Sequence, residues 1–285
     1  MSLSTQEAEE DESYVLVAKL DNARNMSTIL KAIHFKDSAI VFASENGLKV
    51  TVEDAKCLQA NAFIQSGLFQ EFVLRQEQTT FKICLTVLLD CLNIFGSANT
   101  SGTTALKMCY AGYGTPLQLM LEEGGVLTDC SIKTQEPHEV LDFGFSSTNV
   151  INKIIMKSEC LKEAFSELDM TSEVLQILMS PDKPYLRLST FGNSGSMHSD
   201  FPRDSDMMES FQCNKTQTNR YKISLLKPSV KALMLSSRIS MRTDRRGFLS
   251  MQYMIKTEDG QVCFVEYFCA PDEELGDENY EGDSE

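Results

Sequence analysis

Metal-dependent phosphodiester cleavage needs several carboxylates converging on two ions roughly 4 Å apart, and the sequence offers few candidates. Asp204-Ser205-Asp206 is the one DxD in the body of the chain, within a stretch that reads as loop. The DxE of Asp272-Glu273-Glu274 belongs to an acidic C-terminal run. Neither has a helical acid partner, so both read as solvent-facing clusters. Of nine cysteines none forms CxxC, and Cys84, Cys91, Cys263 and Cys269 sit inside apolar segments, where a free thiol behaves as a small hydrophobe. His34, His138 and His198 are far apart in sequence. An odd cysteine count without a pairing framework indicates a reducing compartment, cytosol or nucleus. No catalytic residue, metal site or cofactor is expected.

The elements around these residues are regular. The formal charge of −15 is concentrated at the ends. Residues 1–13 carry five acids and residues 271–285 eight, without a base, leaving the remainder at −2; both ends read as disordered tails. The N-terminus lacks the basic start and apolar stretch of a signal peptide. Asp21 is expected to cap a helix over Asn22–His34, whose stripe of Met26, Ile29, Leu30 and Ile33 leaves Arg24, Ser27, Thr28 and Lys31 on the opposite face. A second helix, Thr86–Phe95, shows Thr86, Asp90, Asn93 and Ile94 outward, with no base. A third, Ser158–Leu168, has a mixed outer face with Glu159, Lys162, Glu163 and Ser166. The fourth, Lys227–Ser236, follows a strand at Tyr221–Leu225 and places Pro228 in its first turn.

Each helix follows a strand and precedes β-rich runs separated by turn signals such as Asn46-Gly47 and Gly124-Gly125. The pattern is βαβββ four times over, two units per half. It predicts an α+β fold of antiparallel sheets with helices on one side. Residues 14–134 and 149–271 form the two domains, and residues 1–13 and 272–285 the tails. Gln135–Thr148, with Pro137 and the apolar Val140, Leu141, Phe143 and Phe145, reads as a linker. Phe191–Pro202 reads as loop-like, with a weak strand at Met197–Phe201.

Three stretches carry a family resemblance. Gly47–Phe63 (GLKVTVEDAKCLQANAF), Leu225–Arg238 and Val262–Asp272 (VCFVEYFCAPD) resemble the sliding DNA clamps, the group of the proliferating cell nuclear antigen. Asn25–Phe35, Glu163–Thr171 and Ser180–Phe191 are similar to one branch of that family, the Rad-one subunits of the checkpoint (nine-one-one) clamp, over essentially the whole length. The resemblance implies a heterotrimeric ring of two-domain subunits around duplex DNA, helices inside and sheets outside, in the nucleus. It implies two paralogous clamp subunits as partners, an ATP-dependent checkpoint clamp loader, and checkpoint kinase activators and repair enzymes recruited to a DNA-damage platform.

Under that resemblance the DNA-facing candidates are Arg24, Lys31, Lys157, Lys162, Lys227 and Lys231, contacting phosphates without reading bases. The joining edges correspond to Val126, Thr128, Cys130 and Ile132 in one domain and Met197, Ser199 and Phe201 near the strand at Gly195–Phe201 in the other. Partner peptides would dock at the linker, through Val140, Leu141 and Phe143 and beside Glu53. Where the replication clamp has lysines on its second helix, this chain has Val87 and Asp90; where that clamp has an apolar residue before the turn acid Asp54, this chain has Glu53. An uneven inner surface and a different set of peptide partners follow. Two other readings compete: a 3′-to-5′ DNA exonuclease, an activity linked to this branch, and a scaffold without DNA contact.

Overall fold

Alternating apolar positions fix the strands, and stripes at 3.6-residue spacing fix the helices. The computed structural model describes residues 11–96, 103–169, 171–193, 195–257 and 260–272. Residues 1–10 of the acidic lead and the acidic tail from residue 273 lie outside them, as do residues 97–102, 170, 194, 258 and 259. The fold is α+β with antiparallel strand pairs, the clamp-type arrangement. The chain divides into two compact units, one formed chiefly by residues up to Leu141, the other chiefly by residues from Asp142.

In the first unit, β1 (Leu16–Leu20), β5 (Glu71–Leu74), β7 (Ala105–Tyr110), β8 (Leu117–Glu123) and β9 (Val126–Ile132) form a sheet in the order β5-β1-β7-β8-β9. β2 (Ser38–Ser44), β3 (Gly47–Asp54), β4 (Leu58–Gln65) and β6 (Gln78–Cys84) run in the order β4-β3-β2-β6. Gly47 turns the β2–β3 hairpin at φ +120°, and a Cβ there would lie 2.2 Å from the Ile64 carbonyl oxygen. Glycine is therefore required at this position. Helices α1 (Ala23–Ala32) and α2 (Leu85–Leu92) pack on one another. Their stripes, including Met26, Ile29, Leu30, Leu85 and Leu88, are buried, each side chain contributing about 1.5–3 kcal/mol of hydrophobic stabilisation. Phe81 of β6 meets Tyr110 of β7 at 4.3 Å between ring centroids.

In the second unit, β10 (Val150–Lys157), β14 (Met208–Cys213), β16 (Ser236–Asp244), β17 (Leu249–Lys256) and β18 (Val262–Cys269) run in the order β14-β10-β16-β17-β18. β11 (Val174–Met179), β12 (Leu186–Gly192), β13 (Gly195–Phe201) and β15 (Gln217–Lys222) form a sheet ordered β13-β12-β11-β15. Helix α3 (Ser158–Glu167) packs against α5 (Val230–Leu235). The buried Tyr253 and Tyr267 stack edge to face at 6.2 Å, and the Tyr267 hydroxyl donates to the Pro228 carbonyl at 3.3 Å.

The structure adjusts several expectations. Asn22, not Asp21, caps α1, its side chain accepting from the Arg24 amide at 3.0 Å. Ser27 is buried rather than outward, its hydroxyl donating to Asn93 Oδ1 at 3.1 Å. Each half holds nine strands among the described residues, one more than two βαβββ units supply; β5 and β14 fall on the runs Phe69–Leu74 and Met208–Cys213, which read as strands in the sequence, and each pairs with the first strand of its own half. Of the strand expected at Tyr221–Leu225 only Tyr221 and Lys222 are extended, as the end of β15. The strand ends at Lys222, and Ile223–Leu226 is a helical turn (α4) that continues through a 3-10 turn, Lys227–Ser229, into α5. Ile223 and Leu226 are buried, an i, i+3 spacing that a five-residue window confuses with alternation. The weak strand expected at Met197–Phe201 forms and begins earlier, at Gly195, and Phe191 and Gly192, read as loop, belong to β12: β12 and β13 pair from Leu186↔Phe201 to Gly192↔Gly195. No helix among the described residues is long and apolar enough to cross a membrane.

Candidate nucleic-acid and partner interface

The cations occupy the helices and the residues that begin them. The Asn22 cap and the buried stripe turn Arg24 and Lys31 away from the core of the first unit. Lys31 is exposed and donates to Asn93 Oδ1 at 3.0 Å. Asn93 ends α2, so a cation stands beside the negative end of that helix. The outer face of α2 carries Val87 (43% exposed), Ile94 (48%) and the exposed Asp90, without a base.

In the second unit Lys157 is exposed at the junction of β10 and α3. Lys162 is half-buried, and its ammonium donates to the Ser236 carbonyl at 2.9 Å, a tether that the helical pattern did not signal. Lys227 and Lys231 are exposed, in the 3-10 turn and on α5, four residues apart. Spread cations of this kind can neutralise phosphates without reading bases.

The linker is fastened to strands along its length. On the first unit, Gln135 exchanges backbone hydrogen bonds with Lys82 at 2.8 and 3.1 Å. Glu53 of β3 accepts from the Leu141 amide at 2.8 Å, and its other oxygen lies 3.6 Å from His138 Nε2. A cavity of about 500 Å³ lies here, lined by Ile40, Phe42, Thr80, Pro137, His138 and Val140. On the second unit, the Phe143 ring lies 5.4 Å from Phe248 and 6.2 Å from Phe268, and Phe145 lies 5.4 Å from Phe268. Arg246 stacks over Phe248 and donates to the Phe143 carbonyl, while Arg242 stacks over Phe145.

Val140 and Leu141 therefore lie with Glu53 on the first unit, whereas Phe143 packs on aromatics of the second. Glu53 already serves the linker backbone. Arg242, Arg246, Phe248 and Phe268 were missed by the sequence reading; Arg246, two residues after a turn aspartate, carried the one usable signal.

β9 and β13 are both edge strands. On β9, Val126 is 57% exposed and its neighbour Leu127 63%; Thr128 and Cys130 are half-buried and Ile132 is buried. On β13, Met197, Ser199 and Phe201 are half-buried. Arg187 of β12 grips Asp200 of β13 with two bonds, 2.6 and 2.8 Å. That guanidinium holds the Asp200 carboxyl below its ordinary 3.8.

A depressed carboxylate adds stability above its unfolded pKa, about 3.9, and loses it as pH falls through the lower folded value. Hydrogen exchange of the β13 amides, corrected for intrinsic rates, should stay level from pH 7 to about pH 4 and rise below that. Asp200→Asn should abolish the difference between the two regimes. A wild-type profile matching that of the variant would refute the assignment.

Among the described residues the acidic candidates do not converge. Asp204 and Asp206 are exposed in the turn after β13, and Asp204 lies 3.5 Å from Arg203. Asp272 is held on the second unit, its amide donating to the Arg220 carbonyl at 2.7 Å and its carboxylate 3.6 Å from Lys222. Among the described residues no group of three or more His, Cys, Asp or Glu is placed to hold a metal. All nine cysteines are free. Burial raises the Cys109, Cys213 and Cys263 thiols to about 11, so they stay protonated and unreactive at neutral pH.

Comparison with known proteins agrees with the fold. The family described as "Repair protein Rad1/Rec1/Rad17" matches residues 15–255. The human "Cell cycle checkpoint protein RAD1" is 71% identical over 277 residues, covering 96% of this chain and 98% of its own. The "DNA repair protein Rad1" of Drosophila melanogaster is 30% identical over 260 residues, covering 90% and 93%. The "DNA repair exonuclease REC1" of Mycosarcoma maydis is 26% identical over 226 residues, covering 61% of this chain and 49% of its own.

Proposed function

The chain belongs to the Rad1/Rec1/Rad17 family of repair proteins, and we propose that it is a non-catalytic subunit of a heterotrimeric DNA-damage checkpoint sliding clamp. In this reading it acts in the nucleus, with two paralogous subunits closing a ring around duplex DNA. A separate ATP-driven loader opens the ring, and checkpoint kinase activators and repair enzymes use it as a platform. The observation that carries the proposal is the near-full-length identity with a cell cycle checkpoint protein, spanning both clamp-type units.

Mechanistically the ring needs no bond chemistry. Topological trapping makes weak contacts sufficient, and the helical cations supply contacts to phosphates. Lys31, Lys227 and Lys231 are the residues to reverse. β9 and β13 present edges for pairing with neighbouring subunits, domain 14–134 through β9 and domain 149–271 through β13. Linker 135–148, with Val140, Leu141, Phe143 and Glu53, is the docking region for partner peptides.

The native mass of the purified chain across concentrations is the first test. A monomer that yields a 1:1:1 ring only with two different partners supports the reading; a trimer of identical copies overturns it. In that ring, Lys31→Glu, Lys227→Glu and Lys231→Glu should together weaken retention on circular DNA. The salt dependence should become shallower, its slope falling by about one for each phosphate no longer neutralised. Unchanged retention would favour a scaffold without DNA contact. The exonuclease reading has the name of one partial relative in its favour. Asp204→Asn with Asp206→Asn tests it: loss of nuclease activity from a chromatographically pure protein would support it.

A further inference from the structure

A second cavity, about 480 Å³, lies within the second unit, lined by Thr148, Asn149, Asn214, Lys215, Gln217 and Arg245 among others. Among the described residues no carboxylate lines it. Lys215 and Arg245 are both exposed, and neither forms an ion pair among the described residues. Two uncompensated cations sharing a polar cavity suit a dianion.

The turns that carry these cations are held from beneath. Asn152, fully buried on β10, accepts from the Asn214 and Lys215 amides at 3.0 and 3.3 Å and donates to the Lys215 carbonyl at 2.8 Å. Its amide also donates to Gln217 Oε1 at 3.0 Å, which accepts a further bond from the buried Thr243 hydroxyl at 2.7 Å. Gln217 in turn donates to the Asp244 carbonyl at 2.9 Å. The Asp244 carboxylate, 2% exposed, accepts from the Arg246 and Phe248 amides at 2.9 and 3.0 Å. One buried network thus fixes the turn bearing Lys215 and the turn bearing Arg245. Fully satisfied polar networks of this kind hold a geometry rigidly.

Thr148 completes the arrangement. It is exposed at the end of the linker, its hydroxyl 2.7 Å from that of Ser146, in a turn closed by the Asn149 amide donating to the Ser146 carbonyl at 3.0 Å. We propose that Thr148 is a phosphorylation site and that the cavity bearing Lys215 and Arg245 receives its phosphate. A kinase would transfer the γ-phosphoryl group of a nucleoside triphosphate to Thr148 Oγ1. The new O–P bond forms as the bond to the departing diphosphate breaks, and the hydroxyl proton goes to the kinase's base. A phosphate there carries about −1.5 to −2 charge and three acceptor oxygens. Held by an ammonium and a guanidinium, it fastens the end of the linker to the second unit. The proposal does not depend on ring assembly.

The test places phosphothreonine at position 148 of the full chain during translation and follows the phosphate by ³¹P NMR from pH 4 to 8. Neighbouring cations favour the dianion, so the midpoint should fall by about 0.5–1 unit from its usual value near 6. Lys215→Met and Arg245→Met should each restore part of that shift and together all of it. A midpoint equal to that of a short phosphothreonine peptide of residues 146–149 would overturn the proposal. In chain recovered from DNA-damaged cells, mass spectrometry should find phosphate on Thr148; its absence there, or its presence only on Ser146 or Ser147, overturns the site.

Discussion

Asp244→Ala should destabilise the second unit by about 3–4 kcal/mol, read as a lowered urea midpoint with an unchanged slope. The carboxylate accepts two backbone amides of its own turn and the Arg246 fork. Hydrogen bonds to a buried charge are worth about 1.5–3 kcal/mol each, and water recovers part of that at the turn. Arg246 is itself half-exposed, so Arg246→Ala should cost at most about 1 kcal/mol, the range of exposed pairs. Asp244→Asn, which keeps one acceptor, should fall between. A cost below 1 kcal/mol for Asp244→Ala would mean that the turn stands on its strand pairing alone.

Glu53→Ala should release the first-unit half of the linker. The Leu141 amide loses a bond to a largely buried carboxylate, again about 1.5–3 kcal/mol. Local opening by that amount speeds exchange of the Leu141 amide about 10- to 100-fold, while core amides such as Val41 and Val50 keep their rates. Glu53→Gln retains an acceptor and should give a smaller increase. Unchanged exchange at Leu141 would show that the Gln135 pairing and the cavity wall hold the segment without Glu53.

These two carboxylates also mark the limit of sequence reading. Helix stripes were legible because apolar spacing alone buries Met26, Ile29 and Leu30, and the cation-free face of α2 was visible for the same reason. Hairpins were legible through Asn46-Gly47. Glu53 stands out in the sequence as a charge where the family resemblance implies peptide docking, but its bond to Leu141, eighty-eight residues along the chain, has no sequence signature. Asn152, Gln217, Thr243 and Asp244 look like ordinary polar strand and turn residues; their burial as one network depends on tertiary pairing. β13 was under-read because edge strands carry polar residues and resemble loops. Ile223–Leu225 reads as the end of a strand because so short a run cannot distinguish a period of two from one of 3.6. Lys162 was placed among solvated cations by its helical phase, while its reach to the Ser236 carbonyl is set by the strand beside it.

If β9 joins a neighbouring subunit as proposed, its open margin has a consequence for subunit supply. Val126 and Leu127, each more than half exposed, lie on a strand paired on one side alone. An unpaired edge with exposed apolar residues is a template for adventitious strand addition. In the proposed ring, a copy left without its companion would thus display the features by which folding helpers and degradation machinery recognise orphan polypeptides. Capping that margin would shield the chain from disposal, so its abundance would track that of whatever chain covers β9 rather than its own rate of synthesis.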